Sequence, residues 1–362
     1  MNNQLSLQDI AYFVIVLLGV GWVSYIAVSL WMPLIFATII AIFLYPINKF
    51  YQKKINIRAI SIILSFLTII LPLVLVIFLF SIQFLDIMDS LPSIGENLKV
   101  GIKKAVSKIN GTLPMLNLKT EAILSGGMGK SIDGPLSAIS KGLITSTSII
   151  VNIALCFIYT FFILYYRKSI KNFIVYQFEK RARKEVRETL KEIQETVQAY
   201  IGGLGIVMVI LTFLNTLGLY LIGIDHAFFW GALAGLLAVI PYIGTLLGGL
   251  LPFLYALATA DANWQPIAVL VYYGLIQQIE GNLITPKIVG DKVDINPLFA
   301  IVSLLAFGSL WGVGGVVLAL PIISIIRIIF ERFESTEPIA MLLSTDINSK
   351  PGQFKKWAES TK

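Results

Sequence analysis

The sequence has one cysteine and one histidine in 362 residues, and only 14% of its residues are charged. A lone Cys156 excludes an internal disulfide, and with His226 as the sole imidazole no Cys/His metal cluster can form within one chain. No metal site and no cofactor are expected. A nucleophile elbow, a phosphate-binding glycine loop ending in Lys-Ser/Thr and a zinc-protease motif are all missing. An enzyme is therefore not expected, and ATP-driven transport by this chain alone is disfavoured. No Lys or Arg precedes the first apolar run, so the basic start of a secretory signal is lacking too.

What fills the space is apolar. Hydrophobic residues make up 57% of the chain, more than a soluble domain of this length tolerates. The composition dictates an all-α polytopic membrane protein. The net charge of +7 could suggest a nucleic-acid partner, but the basic residues cluster beside apolar runs, where the positive-inside rule accounts for them. Residues 1–84 carry three apolar runs: Ile10 to Leu30, a second from the expected interfacial turn Trp31-Met32-Pro33 to Ile47, and Ile60 to Phe84 with Pro72 as a kink. Lys49, Lys53, Lys54 and Arg58 place the linker before the third run, and hence the N-terminus, in the cytoplasm.

Residues 85–141 change character, with apolar residues at helical spacing and Gly/Pro punctuation, and read as a small extracytoplasmic helical cap. Their seven lysines count against an outside location, although long loops obey the rule less strictly than short ones. A membrane helix over 142–166 leads to a charged cytoplasmic helix over 167–199, where Lys184 with Glu188 and Glu188 with Glu192 fall at helical spacing.

Two units then repeat the same order of parts, 200–263 and 264–333, before a cytoplasmic tail over 334–362. Each has a span, a linker beginning with Gly and carrying Asp, a short run, a Gly-rich break, and a second short run with a proline, Pro252 or Pro321. In the first unit, Ala227 to Ile240 is 14 residues, about 21 Å of helix, against a hydrocarbon core of about 30 Å. Pro241 disfavours helix at the residue before it, while Gly244, Gly248 and Gly249 allow unusual backbone angles and close contact. The second break runs from Gly308 to Gly315 and includes Gly312. The expected architecture is five to six full spans plus two broken re-entrant hairpins in an inverted repeat, the arrangement of secondary transporters.

Chemistry-bearing residues are few. Gln277, Gln278, Glu280, Asn282 and Thr285 put a carboxylate and three amides at or near the end of an apolar helix, and an intramembrane acid marks a functional site by default. The rival role for Glu280 is structural, as partner of Arg327 or Lys287 or as a helix cap. Pro241, Tyr242, Gly244, Gly248, Gly312 and Gly315, at the breaks, complete the candidate path. Asp225 and His226 could form a proton-shuttling pair, or an exposed interfacial one.

Ile240-Pro241-Tyr242-Ile243-Gly244, Gln278-Ile279-Glu280-Gly281-Asn282-Leu283-Ile284-Thr285-Pro286, and Asn296-Pro297-Leu298 through Gly312-Val313-Gly314-Gly315 to Leu320-Pro321 together resemble the bacterial autoinducer-2 exporter family of permeases. The resemblance covers nearly the whole chain. It implies secondary transport in the bacterial cytoplasmic membrane and homo-oligomers, and it marks Pro241, Gly244, Glu280, Gly281, Asn282, Pro286, Pro297, Gly312, Gly315 and Pro321 as family-motif positions. Members of that family are described as exporters of the quorum-sensing furanone, others as sodium or lithium/proton antiporters. The expected function is transport of a small solute, ion- or proton-coupled through Glu280, with N- and C-termini cytoplasmic. The alternatives are cation/proton antiport and a non-transporting membrane scaffold.

Overall fold

A computed structural model describes residues 26–112, 147–240, 243–289, 294–333 and 336–345, with a few isolated residues before 26. Most of the first apolar run, residues 113–146 of the expected cap, the Pro241-Tyr242 pair and the tail beyond 345 lie outside the described residues. Among the described residues there are helices and no strands. They are α1 (Val28–Lys54), α2 (Arg58–Thr112), α3 (Thr147–Tyr176), α4 (Arg183–Ile222), α5 (Ala227–Leu237), α6 (Ile243–Thr259), α7 (Gln265–Ile279), α8 (Thr285–Ile288), α9 (Pro297–Phe330) and α10 (Glu337–Leu343). Six helical segments are long and apolar enough to cross a bilayer: Val28–Lys54, Arg58–Ser90, Ile150–Tyr176, Arg183–Ile222, Gln265–Ile288 and Pro297–Phe330. The protein is a multi-pass, all-α membrane protein.

Several boundaries differ from those expected. Trp31-Met32-Pro33 is no turn: α1 runs straight through Pro33 and Pro46. A proline in a helix frees the carbonyl four residues back, and the chain answers this at Pro46, where the Gln198 side-chain amide donates to the Ile42 carbonyl at 2.8 Å. Helix α2 continues past Phe84 as a single 55-residue helix. The charged stretch is divided, its first residues ending α3 and the rest opening α4, which carries on into the expected fifth span.

The chain forms two compact units from interleaved segments, residues 1–67, 151–203 and 289–362 in one, and 68–150 and 204–288 in the other. In the first unit, Ile39 of α1, Val197 of α4 and Leu318 of α9 are buried together. The same unit holds a polar knot. Asn48 is fully buried and accepts from Arg167 at 2.9 Å, and Arg167 also donates to Gln52 at 2.7 Å while lying over the Tyr45 ring. Asp294 gathers the C-terminal end, accepting from Ser344 and Thr345 and pairing with Arg327. Burial raises the Asp294 carboxyl, but those hydrogen bonds and the Arg327 charge outweigh it and leave the group below its usual range.

In the second unit, Ile87 of α2, Leu219 and Ile224, Phe229 and Trp230 of α5, Tyr255 of α6 and Val269 of α7 form the core. Phe80 stacks on Phe229 with centroids 4.4 Å apart, and Gln83 accepts from the Phe229 amide at 2.9 Å, satisfying one of the orphan donors at the start of α5. Buried Gln265 ties down the linker by donating to the Ile222 and Gly223 carbonyls and accepting from Ala262.

Candidate functional site

The second unit contains the first hairpin. Helix α5 ends at Leu237, the chain turns through 238–240, and α6 starts at Ile243. Gly244 makes the return possible, because a side-chain carbon there would overlap the Leu237 carbonyl oxygen. Gly248 lies against Ala234, so the two short helices run in close contact. On the other side of α5, Gly231 and Gly235 press onto the backbone of α4 at Thr216, Thr212 and Met208. This small-xxx-small spacing lets two helices approach without side chains between them, the packing favoured where lipid gives no hydrophobic drive.

Helix α7 crosses the hairpin. Its Tyr272 ring fills the space over Gly218 of α4, and the hydroxyl donates to the Leu214 carbonyl at 2.6 Å. Tyr273, one residue on, packs its ring against Gly249 of α6. At Glu280 the helix does not end, as the sequence suggested. It opens into a π-helical turn over Glu280–Ile284, with the Thr285 amide donating to the Glu280 carbonyl, and continues to Ile288. Pro286 explains the widening, since it lacks the donor for the Asn282 carbonyl and its ring crowds the regular ladder. Such turns are rare and concentrate at functional sites.

Glu280, Gln277, Tyr273 and Ile276 meet Leu211 and Asn215 of α4, Ala234 of α5, Ala238, and Gly244, Thr245 and Gly248 of α6 around a cavity of about 20 Å³. That is room for one water-sized body. Asn215 is 3% exposed and its Oδ1 has no hydrogen-bond partner among the described residues; the Tyr273 hydroxyl is likewise buried without one. Glu280 is half-buried, bonded to the Gln277 side chain, and in no ion pair among the described residues. Its suggested partner Arg327 is engaged by Asp294 and Glu331.

The structure thus brings together Gln277, Glu280, Gly244 and Gly248. Gln278 and Asn282 lie outside this group, bonding each other at 3.1 Å on an exposed face, and Thr285 does not line the cavity. Pro241 and Tyr242 lie outside the described residues. Gly312 and Gly315 belong to the other unit, where they form the second hairpin. Asp225 and His226 border a separate open groove of about 530 Å³ in the second unit, with Gln83, Thr216 and Tyr220. Among the described residues they are in no ion pair; His226 adopts a left-handed backbone with φ 54° and sets its ring edge-on to Tyr255. Asn215 and Tyr273 escaped the sequence reading. The available signal was an Asn alone in the apolar run of α4, which a span carries only at a cost.

A profile of AI-2E family transporters matches residues 10–335. The chain belongs to the AI-2E family of transporters. Among its relatives, YrrI of Bacillus subtilis, named as a candidate transport protein, is 23% identical over 84% of this chain and 87% of its own length. A Haemophilus influenzae protein named in the same way is 25% identical over 95% of this chain and 97% of its own. The AI-2 transport protein TqsA of Escherichia coli is 34% identical over 127 residues, 35% of this chain and 36% of TqsA.

Proposed function

We propose that this AI-2E transporter is a secondary transporter of a small solute in the bacterial cytoplasmic membrane, with both termini in the cytoplasm and its two broken hairpins in an inverted repeat. The transport step is coupled at Glu280. One observation carries this reading: a half-buried carboxylate without a cationic partner among the described residues, held on a π-helical turn against a broken hairpin, beside buried polar atoms that also lack partners among them. An acid in that position has a cost in lipid, which a proton or cation offsets during transport. The arrangement of two broken hairpins favours alternating access around sites near the midplane.

Lipid and further copies of the chain are the expected partners of exposed apolar residues such as Ile206, Val209 and Phe213 on α4. The TqsA likeness makes autoinducer-2 the first solute to try. The test is flux in proteoliposomes under an imposed pH gradient, with autoinducer-2 and a sodium or lithium pulse given separately, comparing wild type with Glu280→Gln. Autoinducer-2 movement lost in the variant supports coupled export. Cation-driven proton movement without it selects antiport. Silence of the wild type toward both sinks the transport reading in favour of a scaffold.

A further inference from the structure

We propose that the segment Phe354-Lys355-Lys356-Trp357 of this same chain docks in an apolar groove where the end of α3, the start of α4 and the end of α9 meet, as an intrachain latch on the first unit.

The groove has a volume of about 230 Å³ and is lined by Phe178, Val186, Leu190, Ile193, Ile329 and Phe333, with Glu185 and Arg332 as charged neighbours. All of these residues belong to the first unit. Phe178, Ile329 and Phe333 stay 38%, 38% and 49% exposed. Lipid does not account for that exposure. Along each of the three helices a charged residue, Lys171, Glu195 or Arg327, stands between the groove and the apolar span, and such residues avoid the hydrocarbon core. The groove therefore faces water, where a contiguous apolar surface marks an interaction site.

The tail fits this groove by position. Thr345, the last described residue, donates its amide to Asp294, which pairs with Arg327 at 3.3 Å. Arg327 and Ile329 share the last turn of α9, so the tail sets out beside the groove. From Thr345 to Phe354 is nine residues, a reach of up to about 30 Å for extended chain.

It fits by chemistry as well. Beyond Ile347, Phe354 and Trp357 are the only large apolar residues of 346–362. Three positions apart, they share one face of a helical turn, the anchor spacing of segments laid into grooves. Lys355 and Lys356 lie between them, and no acid occurs from 347 to 358. On α4, Glu185, Glu188 and Glu192 follow one another at steps of three and four residues along one edge of the apolar stripe. Glu192 pairs with Arg332, whereas Glu185 and Glu188 are in no ion pair among the described residues. Two lysines thus meet two uncompensated carboxylates. Exposed pairs of this kind contribute little, so burial of the two rings supplies most of the affinity and the charges set the orientation. Docked there, the segment ties the start of α4 to the end of α9, the helix that carries the second hairpin.

The experiment is disulfide trapping in the full-length protein in proteoliposomes. Cys156→Ala removes the native thiol, Thr189→Cys places one in the groove, and Ala358→Cys places another beside Trp357. Ala182→Cys, a second groove position, is run in parallel so that a poor angle at one site does not decide the outcome. Mild oxidation should join groove and tail within one chain, read as a product of monomer size that maleimide-polyethylene glycol no longer labels after denaturation. Adding Phe354→Ser with Trp357→Ser should slow the joining about tenfold or more. Glu185→Lys with Glu188→Lys should slow it only about threefold. A disulfide between two chains overturns the intrachain latch and gives the groove to a neighbouring copy. Joining that fails at both groove positions, or that keeps its rate without the two aromatics, overturns the docking altogether. Failure together with slower labelling of the Ala358→Cys variant in anionic vesicles than in detergent would place the tail on the membrane surface instead.

Discussion

The two hairpins are closed by the same device and differ in chemistry. In the first, Gly244 lies against the Leu237 carbonyl; in the second, α9 bends at Gly312, with φ 64° and ψ −146°, and Gly315 lies against the Phe307 carbonyl eight residues earlier. A straight helix would separate residues eight apart by about 12 Å, so α9 folds back on itself. Around the first hairpin lie Glu280, in no ion pair among the described residues, and the unpartnered Asn215 Oδ1 and Tyr273 hydroxyl, whereas on α9 Ser303 and Ser324 each donate to carbonyls of their own helix and Arg327, despite a buried, unpartnered Nε, is ion-paired with Asp294 and Glu331. The shared device is structural, and we propose that the transport chemistry belongs to the first hairpin.

Their packing differs as well. Gly231 meets α4 backbone, which cannot yield, whereas Gly314 meets the flexible end of the Met32 side chain on α1. Gly231→Ala should therefore cost about 3 kcal/mol or prevent folding, and Gly314→Ala less than about 1 kcal/mol. Monodisperse yield and thermal unfolding of the two proteins check this; equal losses would break the asymmetry.

Glu280→Gln should fold and lose transport by about tenfold or more, measured as initial flux at matched protein density. Pro286→Ala should restore a donor for the Asn282 carbonyl, convert the π-helical turn to regular helix and rotate Glu280 away from its cavity. The expected outcome is a protein at least as stable as wild type with impaired flux. A fully active Pro286→Ala protein would show that the turn is incidental.

The smallest effect concerns the anchored end of α9. Asp294 has a lowered native pKa, so its contribution to stability is complete above the unfolded value of about 3.9. It is lost as the pH falls through the native value. Asp294→Asn should flatten that acid limb of the stability curve while leaving neutral-pH flux near wild type, which a pH series of unfolding midpoints reads directly.

The fold class was legible because charged and Gly/Pro-rich stretches punctuate long apolar runs: an all-α polytopic membrane protein follows from that. Local patterns failed where a partner far along the chain decides. Pro46 looks like an interruption until Gln198 supplies the missing donor, and Trp31-Met32-Pro33 looks like a turn because proline and an interfacial aromatic share three residues. Asn215 and Tyr273 are unremarkable within their own helices and acquire meaning only across α4, α6 and α7. The π-helical turn was written in Gly281 and Pro286, but the same pair also fits a helix end.

The most direct test places Glu280→Gln and Ser324→Ala beside wild type in the same proteoliposome flux assay. Loss of flux in Glu280→Gln with a wild-type rate in Ser324→Ala is the predicted result. A wild-type rate in Glu280→Gln would contradict the assignment of transport chemistry to the first hairpin.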